Sequence, residues 1–145
     1  MSEQQVHPFY QMHTHGFVRV ATSTPKVRTA DVAFNRDAVL EEARRAHAQG
    51  VDLLVYPELC LSSYAIDDLH LQAAMMDAVE AAVGEVIAAS ADLSPVLLIG
   101  AALRHKGRLY NCALAIAAGR LLGVVPKSYL PNYREFYEKR QFAMS

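Results

Sequence analysis

The sequence predicts an α/β fold: a layer of strands covered by helices on one face and extended by antiparallel hairpins. Three observations carry that expectation. Val51 to Tyr56 is a continuous apolar run stopped by Pro57, the pattern of a buried parallel strand. Stretches with apolar residues at helical spacing lie on either side of it. Two turn signals, Lys106-Gly107 and Ala118-Gly119, divide the last third into short strand-like runs.

The elements follow in order. Met1 to Thr14 is polar and patternless and reads as a loosely held lead-in, with residues 15–145 as one unit. Phe17 to Ala21 alternates around Arg19 and predicts a strand. Asp31 to Gln49 places Val32, Val39, Leu40, Ala43 and Ala46 on one helical face, with Gly50 set to end the helix. The strand Val51–Tyr56 completes a strand–helix–strand unit. Asp67 or Asp68 is expected to cap a second helix, rich in Ala, Leu and Met, reaching about Ser90 with a break near Asp77. Pro95 introduces the buried strand Val96–Ile99, and the hairpin runs Leu109–Ala117 and Arg120–Val125 come next. Pro126 to Phe142 is too polar for a strand and reads as a loop. No repeat, linker or low-complexity segment interrupts the chain. Its end, a functional-looking loop with no closing helix, predicts a domain cut rather than finished.

Composition narrows the function. The chain has 145 residues, 52% hydrophobic, with a formal net charge of −1, so it has the means for a core and no basic footprint for nucleic acid. The apolar runs are too short to span a membrane, and no basic segment leads into an apolar one at the N-terminus. Two cysteines outside any CxxC pair suit a reducing cytoplasm. The glycines are scattered singly, so no phosphate-binding loop is present.

Two charged residues stand where a fold would not ask for them. Glu58 directly follows a buried strand, at the carboxyl end where open α/β sheets bind ligands, and partial desolvation there suits general-base work. A capping or solvent-facing carboxylate is the plainer reading. Lys127 follows another strand end after Pro126 and could be a fixed cation for a developing oxyanion. Equally, it could pair with Glu135 or Glu138. Tyr129 to Phe142 interleaves five aromatics with five charges, as a pocket-lining loop would. Among the rest, His13 and His15 form an H-x-H pair without a nearby third ligand, so no metal site is expected. His47, His70 and His105 read as solvated, and Cys60 and Cys112 as buried, inert thiols.

Order and spacing add what single residues do not. Tyr56-Pro57-Glu58-Leu59 with Tyr64 following, then Pro126-Lys127, then Leu130-Pro131-Asn132-Tyr133 and Phe136-Tyr137-Glu138, resembles the nitrilase superfamily of carbon–nitrogen hydrolases. The flanks His15–Ala21 and Tyr133–Glu138 look like the glutaminase domain found in bacterial glutamine-dependent NAD synthetases, and the likeness runs from about His15 to the end. The resemblance implies part of a nitrilase-type four-layer α-β-β-α sandwich with a Glu-Lys-Cys triad. It gives Glu58 as base, Lys127 as the lysine and Glu138 as the second glutamate, with Tyr64 and Tyr133 at glutamine-binding positions. The family's cysteine would lie beyond this chain, leaving the chain alone inactive. Ser63 stands where family members commonly have glycine.

By the same resemblance, glutamine is the small-molecule substrate, and no cofactor belongs to these residues. ATP and magnesium would serve a downstream synthetase domain that amidates nicotinic acid adenine dinucleotide, and the full-length enzyme would be a homo-oligomer. A stand-alone amidase of the superfamily, or a non-catalytic nitrilase-like interaction module, are the competing expectations. Half a sandwich is also expected to leave an inner face uncovered.

Overall fold

The computed structural model describes residues 7–145. Five strands form one sheet in sequence order: β1 (Val20–Thr22), β2 (Leu53–Val55), β3 (Val96–His105), β4 (Arg108–Ala117) and β5 (Arg120–Pro126). The first three are parallel, with Val20, Leu53 and Val96 side by side, and the last two return antiparallel through tight turns. The turn residues Lys106-Gly107 and Ala118-Gly119 all have positive φ, the backbone that two-residue hairpins require and glycine adopts without steric cost. A register shift at Ala115/Ile116 bends β4 against β5.

The parallel strands need crossovers, and α1 (Val32–Ala48) and α2 (Ala73–Ala89) supply them. Asp31 caps α1 by accepting the Phe34 N–H at 3.1 Å, and Gly50 follows its end at φ 65°. Val39, Ala43, Val79 and Val86 from the two helices enter one core with Leu54, Leu97, Ile99, Leu114 and Ile116 of the sheet. Each large aliphatic side chain buried there contributes roughly 1.5–3 kcal/mol. Asn35, wholly buried in α1, donates to the Arg28 and Leu61 carbonyls and accepts from the Arg28 N–H, fixing the chain just beyond β2.

Strand alternation leaves the other face different. Val55, Leu98, Ala113 and Val125 line an open cleft there, and β5 exposes Leu121, Leu122, Val124 and Val125. Among the described residues no helix is long and apolar enough to cross a membrane.

Several sequence expectations are corrected. The first strand is Val20–Thr22 rather than Phe17–Ala21, because pairing with Leu53–Val55 sets its register, and Phe17 and Val18 stand in solvent. β2 is shorter than Val51–Tyr56, and β3 runs to His105 because β4 pairs along its whole length. Neither Asp67 nor Asp68 caps α2, which begins at Ala73 after a 3-10 turn over Asp67–Leu71 and passes Asp77 unbroken. Those carboxylates instead accept from Tyr137 and Arg140. His70, expected in solvent, is buried. Of the lead-in, residues 1–6 lie outside the described part. Pro8–Tyr10 and Met12–His15 form two 3-10 turns, with His13 paired to Asp52 at 2.9 Å.

Candidate active site

Three chain segments meet at the mouth of the open cleft, whose volume is about 400 Å³. The first is the turn that follows β2. Tyr56 still donates to Leu98 in the ladder, and then Pro57 cannot, so the chain leaves the sheet and presents Glu58. Leu59 takes the left-handed conformation at φ 50° although buried, which lets the turn fold back over β3. Gly100 lies beneath it, where any Cβ would meet three backbone atoms of residues 57–59. The second segment is the end of β5. The Lys127 N–H donates to the Asn111 carbonyl at 2.8 Å, extending the ladder one residue past Pro126 and aiming Lys127 into the cleft. The third is the 3-10 turn Glu138–Arg140.

Lys127 joins the two glutamates. Its Nζ donates to Glu58 Oε1 at 2.7 Å and to Glu138 Oε1 at 2.9 Å. The Glu58 side chain is 42% exposed, and the Glu138 side chain is 5% exposed. One carboxylate is therefore open to a reactant while the other is enclosed. Burial would lower the Lys127 pKa, but the hydrogen bonds and charges of Glu58 and Glu138 outweigh it and hold the ammonium above its ordinary value. Two carboxylates sharing one ammonium leave a proton-accepting group beside a permanently charged donor, an arrangement suited to general-base and oxyanion chemistry.

Tyr64 donates to Glu138 Oε1 at 2.7 Å. Its phenol is held well above its usual pKa, first by burial and then by that bond to a carboxylate, so it remains a donor. The Tyr64 ring meets Phe136 edge-on at 6.3 Å, and Phe136 meets Tyr133 at 5.9 Å, making an aromatic row at the rim. Tyr133 is largely exposed, and its ring joins that row through Phe136. Arg140 grips Asp68 with two bonds and Tyr137 donates to Asp67 at 2.6 Å, so the segment with Tyr64 and the segment with Glu138 are tied together. Such surface pairs contribute little stability singly, but here they fix a relative position.

Sequence reading missed Asn111. It is buried on β4, and its Nδ2 donates to Glu58 Oε1, the oxygen that also receives Lys127. An amide inside an otherwise apolar alternating run was the available signal. The hydrogen bonds of the two thiols go to backbone carbonyls, of Gly100 and Tyr110, and not to Glu58. Cys60 donates weakly to the Gly100 carbonyl, and strand alternation turns the Cys112 side chain away from the Asn111 face. Burial pushes both thiols up to about 11. Among the described residues, no group of three or more His, Cys, Asp or Glu is placed to hold a metal.

Known proteins place this geometry in context. The carbon–nitrogen hydrolase family model matches residues 18–144. The chain is 54% identical over 135 residues to the glutamine-dependent NAD(+) synthetase of Mycobacterium tuberculosis, covering 93% of this chain and 20% of that protein. The corresponding Mycobacterium leprae protein is 52% identical over the same length. The chain thus spans about a fifth of the length of the curated relatives it matches. In structure it is similar to a glutamine-dependent NAD(+) synthetase from Cytophaga hutchinsonii, with a TM-score of 0.82 and 26% identity over 88% of this chain and 22% of that one. An amidase from Nesterenkonia sp. shares the fold, with a TM-score of 0.77 and 24% identity over 88% of this chain and 48% of the amidase.

Proposed function

The chain belongs to the carbon–nitrogen hydrolase family, and from that premise we propose that it supplies the base and the lysine of a glutaminase. In a longer protein, this glutaminase releases ammonia from glutamine for ATP-dependent NAD synthesis. The observation that carries the proposal is the Lys127 ammonium bound between Glu58 and Glu138 at the mouth of an apolar cleft. Relatives at 52–54% identity bearing the name glutamine-dependent NAD(+) synthetase support the choice of reaction.

In this reading the nucleophile is a cysteine outside these 145 residues, since Cys60 and Cys112 are buried, protonated and unconnected to Glu58. Glu58 takes that thiol's proton, and the thiolate attacks the side-chain amide carbon. The carbonyl oxygen gains the electron pair and is stabilised by Lys127. Glu58 returns the proton to the amide nitrogen as the intermediate collapses and expels ammonia, and Glu58 then activates water to hydrolyse the thioester. Glu138 keeps Lys127 charged and in place, and Asn111 fixes the Glu58 carboxylate. Tyr64 and Tyr133 shape the glutamine end of the site. The ATP and magnesium of the amidation step are assigned to a separate synthetase domain of the longer protein.

Lys127→Ala in the full-length protein tests the assignment. Removing one oxyanion donor costs about 3–4 kcal/mol, or roughly 10²–10³ in kcat. Glutamine-driven turnover should fall by that factor while turnover with free ammonium persists. A variant that keeps its glutamine-driven rate would remove Lys127 from the mechanism.

A further inference from the structure

Asn111 touches both of the charged groups that meet at the mouth of the cleft. Its backbone carbonyl accepts the Lys127 N–H at 2.8 Å, and its side-chain Nδ2 donates to Glu58 Oε1. The amide has to present its nitrogen there, because the carboxylate it faces can only accept. Lys127 Nζ donates to the same oxygen at 2.7 Å. Glu58 Oε1 thus receives two hydrogen bonds, whereas Oε2 receives none among the described residues. Asn111 is buried on β4, paired opposite Ala102 of β3, so the ladder fixes where this donor stands.

A carboxylate oxygen has two lone-pair directions. With both of those on Oε1 taken, that oxygen could gain a proton only by giving up a donor. We propose that Asn111 is a positioning residue that divides the Glu58 carboxylate into a held oxygen, Oε1, and a proton-carrying oxygen, Oε2. The inference rests on the reading above that Glu58 is the base of a glutaminase. In the first step the thiol S–H bond breaks, the Oε2–H bond forms, and sulfur keeps the electron pair for attack. As the intermediate collapses, the C–N bond breaks with its electron pair going to nitrogen, and the proton passes from Oε2 to that nitrogen. Water later gives Oε2 a proton as its oxygen attacks the thioester, and the leaving thiolate takes that proton back. Throughout, Asn111 and Lys127 stay on Oε1. The carboxyl therefore does not turn when it is neutral and its attraction to the ammonium is weakest.

Both arms of the test use the full-length protein. A crystal structure should show the nucleophilic sulfur nearer to the Glu58 oxygen that Asn111 and Lys127 leave free. A sulfur nearer to the oxygen they hold, or an Asn111 amide turned away from Glu58, would overturn the proposal, and this arm decides even where a variant fails to fold. In kinetics, Asn111→Leu should lower kcat with glutamine by about ten- to a hundredfold, the worth of one hydrogen bond to a charged group. The KM for glutamine and turnover with free ammonium should hold. Asn111 lines the cleft, which has room for one more methylene, so Asn111→Gln should keep the donor and recover most of the loss. Equal losses in the two variants, or parallel losses with both nitrogen sources, would make Asn111 merely a part of the fold. If the unsubstituted protein showed no glutamine-driven turnover, the functional reading itself would fail, wherever the sulfur lay.

Discussion

Replacing Gly100 by alanine probes how Glu58 is placed. The added Cβ would stand 2.4 Å from Leu59 N, 2.8 Å from Pro57 O and 2.9 Å from Glu58 C. All three are backbone atoms, so no rotamer change relieves the clash. Ordinary contact begins at 3.4 Å, and 3.4 − 2.4 requires a separation of about 1 Å between β3 and the turn. β3 is held in the ladder by β2 and β4, whereas the turn already carries Leu59 in the left-handed region, so the turn yields. A displacement of about 1 Å at a catalytic group costs on the order of 10²-fold in rate, or about 2.7 kcal/mol. Overpacking costs roughly 1–3 kcal/mol of stability in addition. The assay is glutamine-driven ammonia release by full-length Gly100→Ala, read beside its thermal unfolding. Unchanged kcat/KM together with an unchanged Tm would refute the reasoning.

Two further outcomes are expected. Ser63 sits at φ 73°, where a side chain costs about 1 kcal/mol, so Ser63→Gly should raise Tm by about 3 °C in calorimetry. The Lys127 pKa is raised on folding, so its ion pairs contribute stability in full below the ordinary value of 10.5 and lose it as pH rises through the folded value. Denaturant midpoints measured above pH 10.5 should therefore fall more steeply with pH in the parent protein than in Lys127→Met.

Much of the fold and the site is legible in the sequence where one residue type answers one physical demand. Pro57 takes the chain out of the sheet because it cannot donate to the ladder, and Pro126 is the last residue of β5; each hands over to a charged residue, which is why Glu58 and Lys127 stand out from their neighbours in the chain. Helix α1 is marked by its buried face and by Asp31 and Gly50 at its ends. What escapes depends on distant partners. Phe17 and Val18 are as apolar as Val20, yet only Val20 meets Leu53. Asp67 and Asp68 look like caps, but their carboxylates are taken by Tyr137 and Arg140, some seventy residues away. His70 is buried because Phe142 folds over it, and Asn111 faces Glu58 only through the register of β3 with β4. Pairings over such separations leave no local pattern.

The most direct test of the site is Glu58→Gln in the full-length protein, with turnover measured in parallel on glutamine and on free ammonium. The substitution keeps the shape and the partners of the side chain while removing its basicity. Glutamine-driven turnover should vanish while ammonium-driven turnover stays at the parent rate. Equal loss from both sources would contradict a glutaminase role for Glu58 and leave it a structural carboxylate.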